Sequence, residues 1–279
     1  MQIRRARFAG ACYGVKRALR LVDRAIQTST EPVYTLGDLI HNPKVVESLA
    51  ASGVKTIDSI EELTRGTVVI RSHGVSPEVI EAAEAKGLTV VDATCPHVSK
   101  AQSAASELSA AGFTVLVVGE HGHPEVEGIS AHAGKQVLVV QSPARLPIFT
   151  ADANVGIVAQ TTQTNEALNS IVEAVKAQGL SPTVHDTVCF ATRQRQEAAS
   201  ELAAEVDVML VVGGRNSSNT TRLSELCSAV CARTHHIEQA EELDAFWFTG
   251  ASSVGITAGA STPKEQIDHV QKVLSTLLE

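Results

Sequence analysis

Cys12, Cys95 and Cys189 are three of the chain's five cysteines, and they stand 83 and 94 residues apart. No pair has the short spacing of a chelating motif, so only the fold could bring them to one ion. Three thiolates can fill three corners of an iron–sulfur cubane and leave one iron open, or bind zinc with one position open. Either arrangement makes a reactive centre. A lone core cysteine is ordinarily a small hydrophobe, but matched sequence surroundings favour the ligand reading for these three. Cys227 and Cys231 sit four apart within an apolar stretch of a predicted helix, with no histidine beside them, and read as core.

The richest polar segment is Gly119-Glu120-His121-Gly122-His123-Pro124-Glu125-Val126-Glu127-Gly128, with two histidines and three carboxylates. A charged imidazole binds phosphate, and a carboxylate in a dry site can keep its proton and donate it. Metal ligation by the histidines or a solvated loop are the competing readings. His41 and His73 lie in loops of similar context, and with His123 they could give three donors to one anion. Asn216-Ser217-Ser218-Asn219 offers hydroxyls and amides ahead of a helix predicted over 221–229, suited to capping it or to holding an anion at its start. Ser261 poses the same choice.

These residues fall into a repeat. Each cysteine is predicted to end a β-branched stretch (90–94 before Cys95, 184–188 before Cys189) and to open a helix, over 14–27, 96–111 and 191–204. A strand follows at 33–36, 114–118 or 208–212, and a second at 67–71, 154–159 or 253–257. Polar loops close both. The third series lacks its last strand, which residues 2–8 supply ahead of Cys12. Alternating strands and helices predict an α/β protein with parallel sheets, whose ligands gather at the strands' carboxyl ends. The expectation is three pseudo-threefold lobes, 14–95, 96–189, and 190–279 plus 1–13, with one doubly wound sheet carrying insertions as the alternative.

Composition narrows the partners. A net charge of −8 and 3% aromatic residues argue against general nucleic-acid or membrane-surface binding. No apolar run is long enough to span a bilayer. The reading is a cytoplasmic protein with reduced cysteines.

Taken together, Gly10 to Val15 around Cys12, Asp92-Ala93-Thr94-Cys95-Pro96, Gly122 to Gly128, Gln160-Thr161-Thr162 and Asn216 to Asn219 resemble the 4-hydroxy-3-methylbut-2-enyl diphosphate reductase (LytB) family. The resemblance implies a three-lobed α/β trefoil around one 4Fe–4S cluster, with Cys12, Cys95 and Cys189 as ligands and one iron open. By position it implies that His41, His73, His123, Ser217, Ser218, Asn219 and Ser261 hold the substrate, chiefly its diphosphate. Glu125 matches the family's proton donor, and Thr161 matches the threonine near the substrate hydroxyl. The implied reaction is reductive dehydroxylation of that allylic diphosphate to isopentenyl and dimethylallyl diphosphate, the last step of the methylerythritol phosphate route. Reduced ferredoxin or flavodoxin would supply electrons. Ala11 and Tyr13 flanking Cys12, and His97 after Cys95-Pro96, depart from the family pattern.

Overall fold

The structure, a computed structural model, describes residues 1–278. The chain opens with β1 (Gln2–Arg5) and α1 (Tyr13–Thr28). Three like series follow. The first runs β2 (Val33–Leu36), α2 (Pro43–Ala51), β3 (Lys55–Ile57), β4 (Thr67–Ile70), α3 (Pro77–Ala85), β5 (Thr89–Asp92) and α4 (Pro96–Ala110). The second runs β6 (Thr114–Val118), α5 (Pro124–Ala133), β7 (Val137–Val140), β8 (Val155–Ala159), α6 (Asn165–Lys176), β9 (Thr183–Val184) and α7 (Phe190–Ala203). The third runs β10 (Val208–Val212), α8 (Ser218–Val230), β11 (Thr234–Ile237), β12 (Ser253–Ala258) and α9 (Lys264–Leu277).

The strands form three parallel sheets of four, in the orders β3-β2-β4-β5, β7-β6-β8-β9 and β11-β10-β12-β1. The order is the same each time. β1 takes the place in the last sheet that β5 and β9 take in theirs, as the incomplete third series required. Contacts divide the chain into two compact units. One holds Met1–Val15, Ile40–Glu47 and the chain from Phe190 on, and contains the third sheet; the other holds Lys16–Leu39 and Ser48–Cys189, and contains the first two.

Parallel sheets need cover on both faces, which is why their middle strands are β-branched runs. In the third sheet Leu210 and Ile256 pack with Ile267, Val270 and Leu274 of α9. On the opposite face Met209 and Val211 meet Ala199 and Leu202 of α7 and Leu223 and Cys227 of α8. Cys227 and Cys231 thus belong to the core, where burial pushes the Cys227 thiol up to about 12. The two do not share a helix: Cys231 is the residue that ends α8, in extended backbone.

Three element boundaries differ from the sequence-based expectation by three residues or more. The strand expected over 2–8 stops at Arg5, and the one expected to reach Cys189 stops at Val184. Beyond Val184 a side chain replaces the backbone ladder, since Thr187 Oγ1 both donates to Ala159 O and accepts from Ala159 N, at 2.6 and 2.8 Å. The cysteines therefore lie in loops past their strands. The helix expected from 221 begins at Ser218, because Ser217 caps it by accepting from Thr220 N.

Among the described residues no helix is long and apolar enough to cross a membrane. Leu210 is fully buried, so Leu210→Ala should lower the free energy of unfolding by about 2–5 kcal/mol. Urea denaturation against Leu138→Ala, at a position 40% exposed, should show the smaller shift in the latter.

Candidate functional site

The three cysteines are held by one repeated backbone interaction. Cys95 N donates to Ser72 O at 2.9 Å, Cys189 N to Thr161 O at 3.0 Å, and Cys12 N to Ala260 O at 3.0 Å. Each acceptor lies two residues beyond the end of a middle strand, β4, β8 or β12. The parallel register is thereby carried past the sheet to the cysteine. A helix starts immediately after each one: α4 after Cys95, α7 after Cys189, α1 after Cys12. Val15 N donates to Cys12 Sγ at 3.5 Å. None of the three is in a disulfide, and all are half-buried. Soft, reduced, partly accessible thiols at helix starts suit iron–sulfur ligation.

The turn into each cysteine is built locally. Asp92 Oδ1 accepts from Thr94 N at 2.8 Å, and Asp186 Oδ1 accepts from Val188 N at 3.2 Å, so an Asx turn precedes Cys95 and Cys189. Before Cys12 the turn falls to Gly10, at φ +93, where a Cβ would stand 2.7 Å from Ile267 Cδ1. The Asp-x-x-Cys spacing that encodes this turn occurs twice in the sequence, at Asp92 and Asp186.

In the unit that contains Cys95 and Cys189, the loops after β4, β6 and β8 carry His73, His123 and Thr161. His123 caps α5: its Nδ1 accepts from Glu125 N at 3.1 Å, which leaves the neutral ring's proton on Nε2. The His73 and His123 rings meet edge to face, 5.5 Å between centroids. Glu125, in the first turn of α5, is 2% exposed. Its Oε1 accepts from Thr161 N at 2.6 Å and its Oε2 from Thr161 Oγ1 at 3.0 Å. Thr161 thus binds the carboxyl with its amide and hydroxyl, and Cys189 with its carbonyl. Burial pushes the Glu125 carboxyl up to about 7, against the lowering effect of the two Thr161 hydrogen bonds and with a small push from Glu120. His121, one loop position away, is exposed.

The other unit gathers the hydroxyl and amide groups. Ser261 Oγ donates to His41 O at 3.0 Å and lies 3.5 Å from Ser217 Oγ. Asn42, 1% exposed, ties the segment down by donating to Ser261 O and Gln266 Oε1, each at 3.0 Å. Ser218 and Asn219 form the first turn of α8. The Asn219 amide is 4% exposed, yet neither its Oδ1 nor its Nδ2 has a hydrogen-bond partner. A buried amide without partners costs free energy unless a ligand supplies them, and its place at a helix start suits an anion. Gly259 makes room for Thr220 of the same turn, since a Cβ at Gly259 would fall 2.0 Å from Thr220 Oγ1.

The sequence matches the LytB protein family over residues 3–275. The chain belongs to that family. It is 50% identical over 273 residues to a 4-hydroxy-3-methylbut-2-enyl diphosphate reductase of Geobacter sulfurreducens, covering 97% of this chain and 95% of the relative. To the enzyme of that name from Citrifermentans bemidjiense it is 47% identical, covering 99% and 98%. A solved structure of (E)-4-hydroxy-3-methyl-but-2-enyl diphosphate reductase, described as the terminal enzyme of the non-mevalonate pathway, superposes with a TM-score of 0.73 at 42% identity, covering 99% of this chain and 100% of the other. The Plasmodium falciparum E-1-hydroxy-2-methyl-but-2-enyl-4-diphosphate reductase gives 0.93 at 25% identity, covering 100% and 88%. The three parallel sheets agree with the three-lobed α/β fold expected of this LytB chain. Of the residues beside the cysteines, Tyr13 is 64% exposed and His97 is exposed on α4, while Ala11 is half-buried.

Glu125 gives this LytB chain a pH signature. The unfolded carboxyl titrates near 4.3, so the native state holds an extra proton between that value and about 7. The contribution to stability is complete below about pH 4, and roughly 4 kcal/mol of it is lost as pH rises from there to about 7. Infrared titration should reveal a protonated carboxyl band that disappears around pH 7 and is missing from Glu125→Gln; a band lost near pH 4 would refute the assignment.

Proposed function

We propose that this chain reductively dehydroxylates 4-hydroxy-3-methylbut-2-enyl diphosphate to isopentenyl and dimethylallyl diphosphate, closing the methylerythritol phosphate route to isoprenoids. The balance is one substrate, two electrons and two protons to one product and one water. Cys12, Cys95 and Cys189 ligate one 4Fe–4S cluster, and when bound that cluster supplies the electrons and an iron without a protein ligand. Reduced ferredoxin or flavodoxin is the electron donor, and the enzyme works in the cytoplasm. The lobes run 14–95, 96–189, and 190–279 plus 1–13, so each ends at or just beyond a ligand cysteine. What carries the reading is the continuous line of hydrogen bonds from Glu125 through Thr161 to Cys189.

The chain's own groups divide the work. His41, His73, His123, Ser217, Ser218, Asn219 and Ser261 bind the diphosphate, and the partnerless amide of Asn219 supports that assignment. Anchoring this end fixes the allylic end in one orientation, which limits where a proton can be added. Glu125 is suited to give that proton: burial keeps it protonated to about pH 7, and the Thr161 hydroxyl at 3.0 Å orients it and reaches toward the substrate hydroxyl. Water leaves more readily from a protonated hydroxyl.

Anaerobic turnover of the allylic diphosphate with an artificial reductant, following both products, tests the assignment. Glu125→Gln should lose about 100-fold or more in kcat while its visible spectrum stays that of the wild type. Turnover unchanged by the substitution, or no turnover by a wild-type protein that holds its cluster, would defeat the proposal.

A further inference from the structure

Cationic side chains are disfavoured at helix N-termini, where the dipole is already positive. α1, α4 and α7, the helices that begin at the cysteines, have no acidic residue in the first turn, as is also true of α2 and α8, whereas α3, α5, α6 and α9 each carry at least one. Arg17 and Arg195 instead stand early in α1 and α7, five and six residues after Cys12 and Cys189.

Both arginines reach the loop of a different cysteine. Arg195 is 7% exposed; its Nε and Nη2 donate to Gly10 O at 3.1 and 2.6 Å, and its Nη1 to Ala191 O at 2.7 Å. Gly10 and Cys12 are at the same time bonded through their amides to Ala258 O and Ala260 O, at 3.2 and 3.0 Å. The loop is held from both sides. Arg17 Nη1 donates to Thr94 O at 3.0 Å and its Nη2 to Asp92 O at 3.5 Å, while Cys95 N is bonded to Ser72 O. The helix following Cys189 therefore braces the loop of Cys12, and the helix following Cys12 braces the loop of Cys95.

We infer that Arg195 and Arg17 are positioning residues for cluster ligands: their forked, charge-assisted hydrogen bonds lock the main chain presenting Cys12 and Cys95, and their charge favours the reduced cluster. A guanidinium gives several donors in a fixed plane, so one side chain can grip a loop carbonyl and, in Arg195, its own helix together. Lysine keeps the charge and loses the fork. Permanent positive charge near an iron–sulfur centre stabilises the state with more electrons and raises the potential. The inference rests on the reading of the three cysteines as ligands.

The test uses anaerobically purified protein and two readouts besides turnover: the rate of iron release to a ferrous chelator, and the cluster's midpoint potential. Arg195→Lys should release iron about 10-fold faster at a nearly unchanged potential. Arg195→Met and Arg17→Gln should release it faster and shift the potential negative. Arg17 is half-buried, so Arg17→Gln serves even where Arg195→Met fails to fold. Arg233, which donates to Trp247 O and Thr249 O, is the control: Arg233→Lys should lower the melting temperature and leave release and potential alone. A wild type that holds its cluster, with Arg195→Lys and Arg17→Gln matching it in both readouts, would overturn the inference and spare the functional reading. A wild type with no iron and sulfide would overturn both.

Discussion

One backbone hydrogen bond, made three times, governs the candidate site. The amide of each cysteine donates to the carbonyl two residues past the end of a middle strand. A parallel ladder with fixed register makes that position the same in all three sheets, and a shift of one residue would turn every side chain over to the other face. The loop that accepts the bond also bears site residues. Ser72 precedes His73, Ala260 precedes Ser261, and Thr161 is itself the acceptor. Sheet packing thus sets the cysteines and the polar side chains by the same bonds. The buried Glu125 carboxyl and the buried Asn219 amide, whose side-chain atoms lack hydrogen-bond partners, are polar groups kept at a cost in stability.

Two opposing effects meet at Glu125. Two hydrogen bonds from Thr161 favour the carboxylate, yet desolvation outweighs them and the proton stays on to about pH 7. A more open loop would leave the same pair ionised. A carboxyl with no hydrogen bond would be less well aimed. Burial and two oriented donors together hold this carboxyl in one orientation with its proton retained to about pH 7.

Much of this was legible in the residues. The order of strands, helices and polar loops repeated after Cys12, Cys95 and Cys189 closely enough to place β1 in the third sheet from the sequence alone. Glu125 and His123 stood out because carboxylates and imidazoles were crowded into one short loop. What the sequence concealed lay in side chain to main chain bonds. Thr187 replaces a stretch of ladder, so the strand before Cys189 is shorter than its β-branched residues suggest. Ser217 caps α8 and draws Ser218 and Asn219 into the helix. Arg17 and Arg195 look like ordinary helix-surface cations until their long-range carbonyl partners are known, since no local pattern encodes a partner 77 or 185 residues away.

The central claim is that the three repeat-related cysteines, and not the core pair, hold an iron–sulfur cluster. Its most direct test is the iron and sulfide content of protein purified without oxygen, for the wild type and for single Cys→Ser variants. About four irons and as many sulfides per chain are expected in the wild type and in Cys227→Ser, with most of both lost from Cys12→Ser, Cys95→Ser and Cys189→Ser. A colourless wild type containing zinc, or full iron and sulfide retained in all three ligand variants, would contradict it.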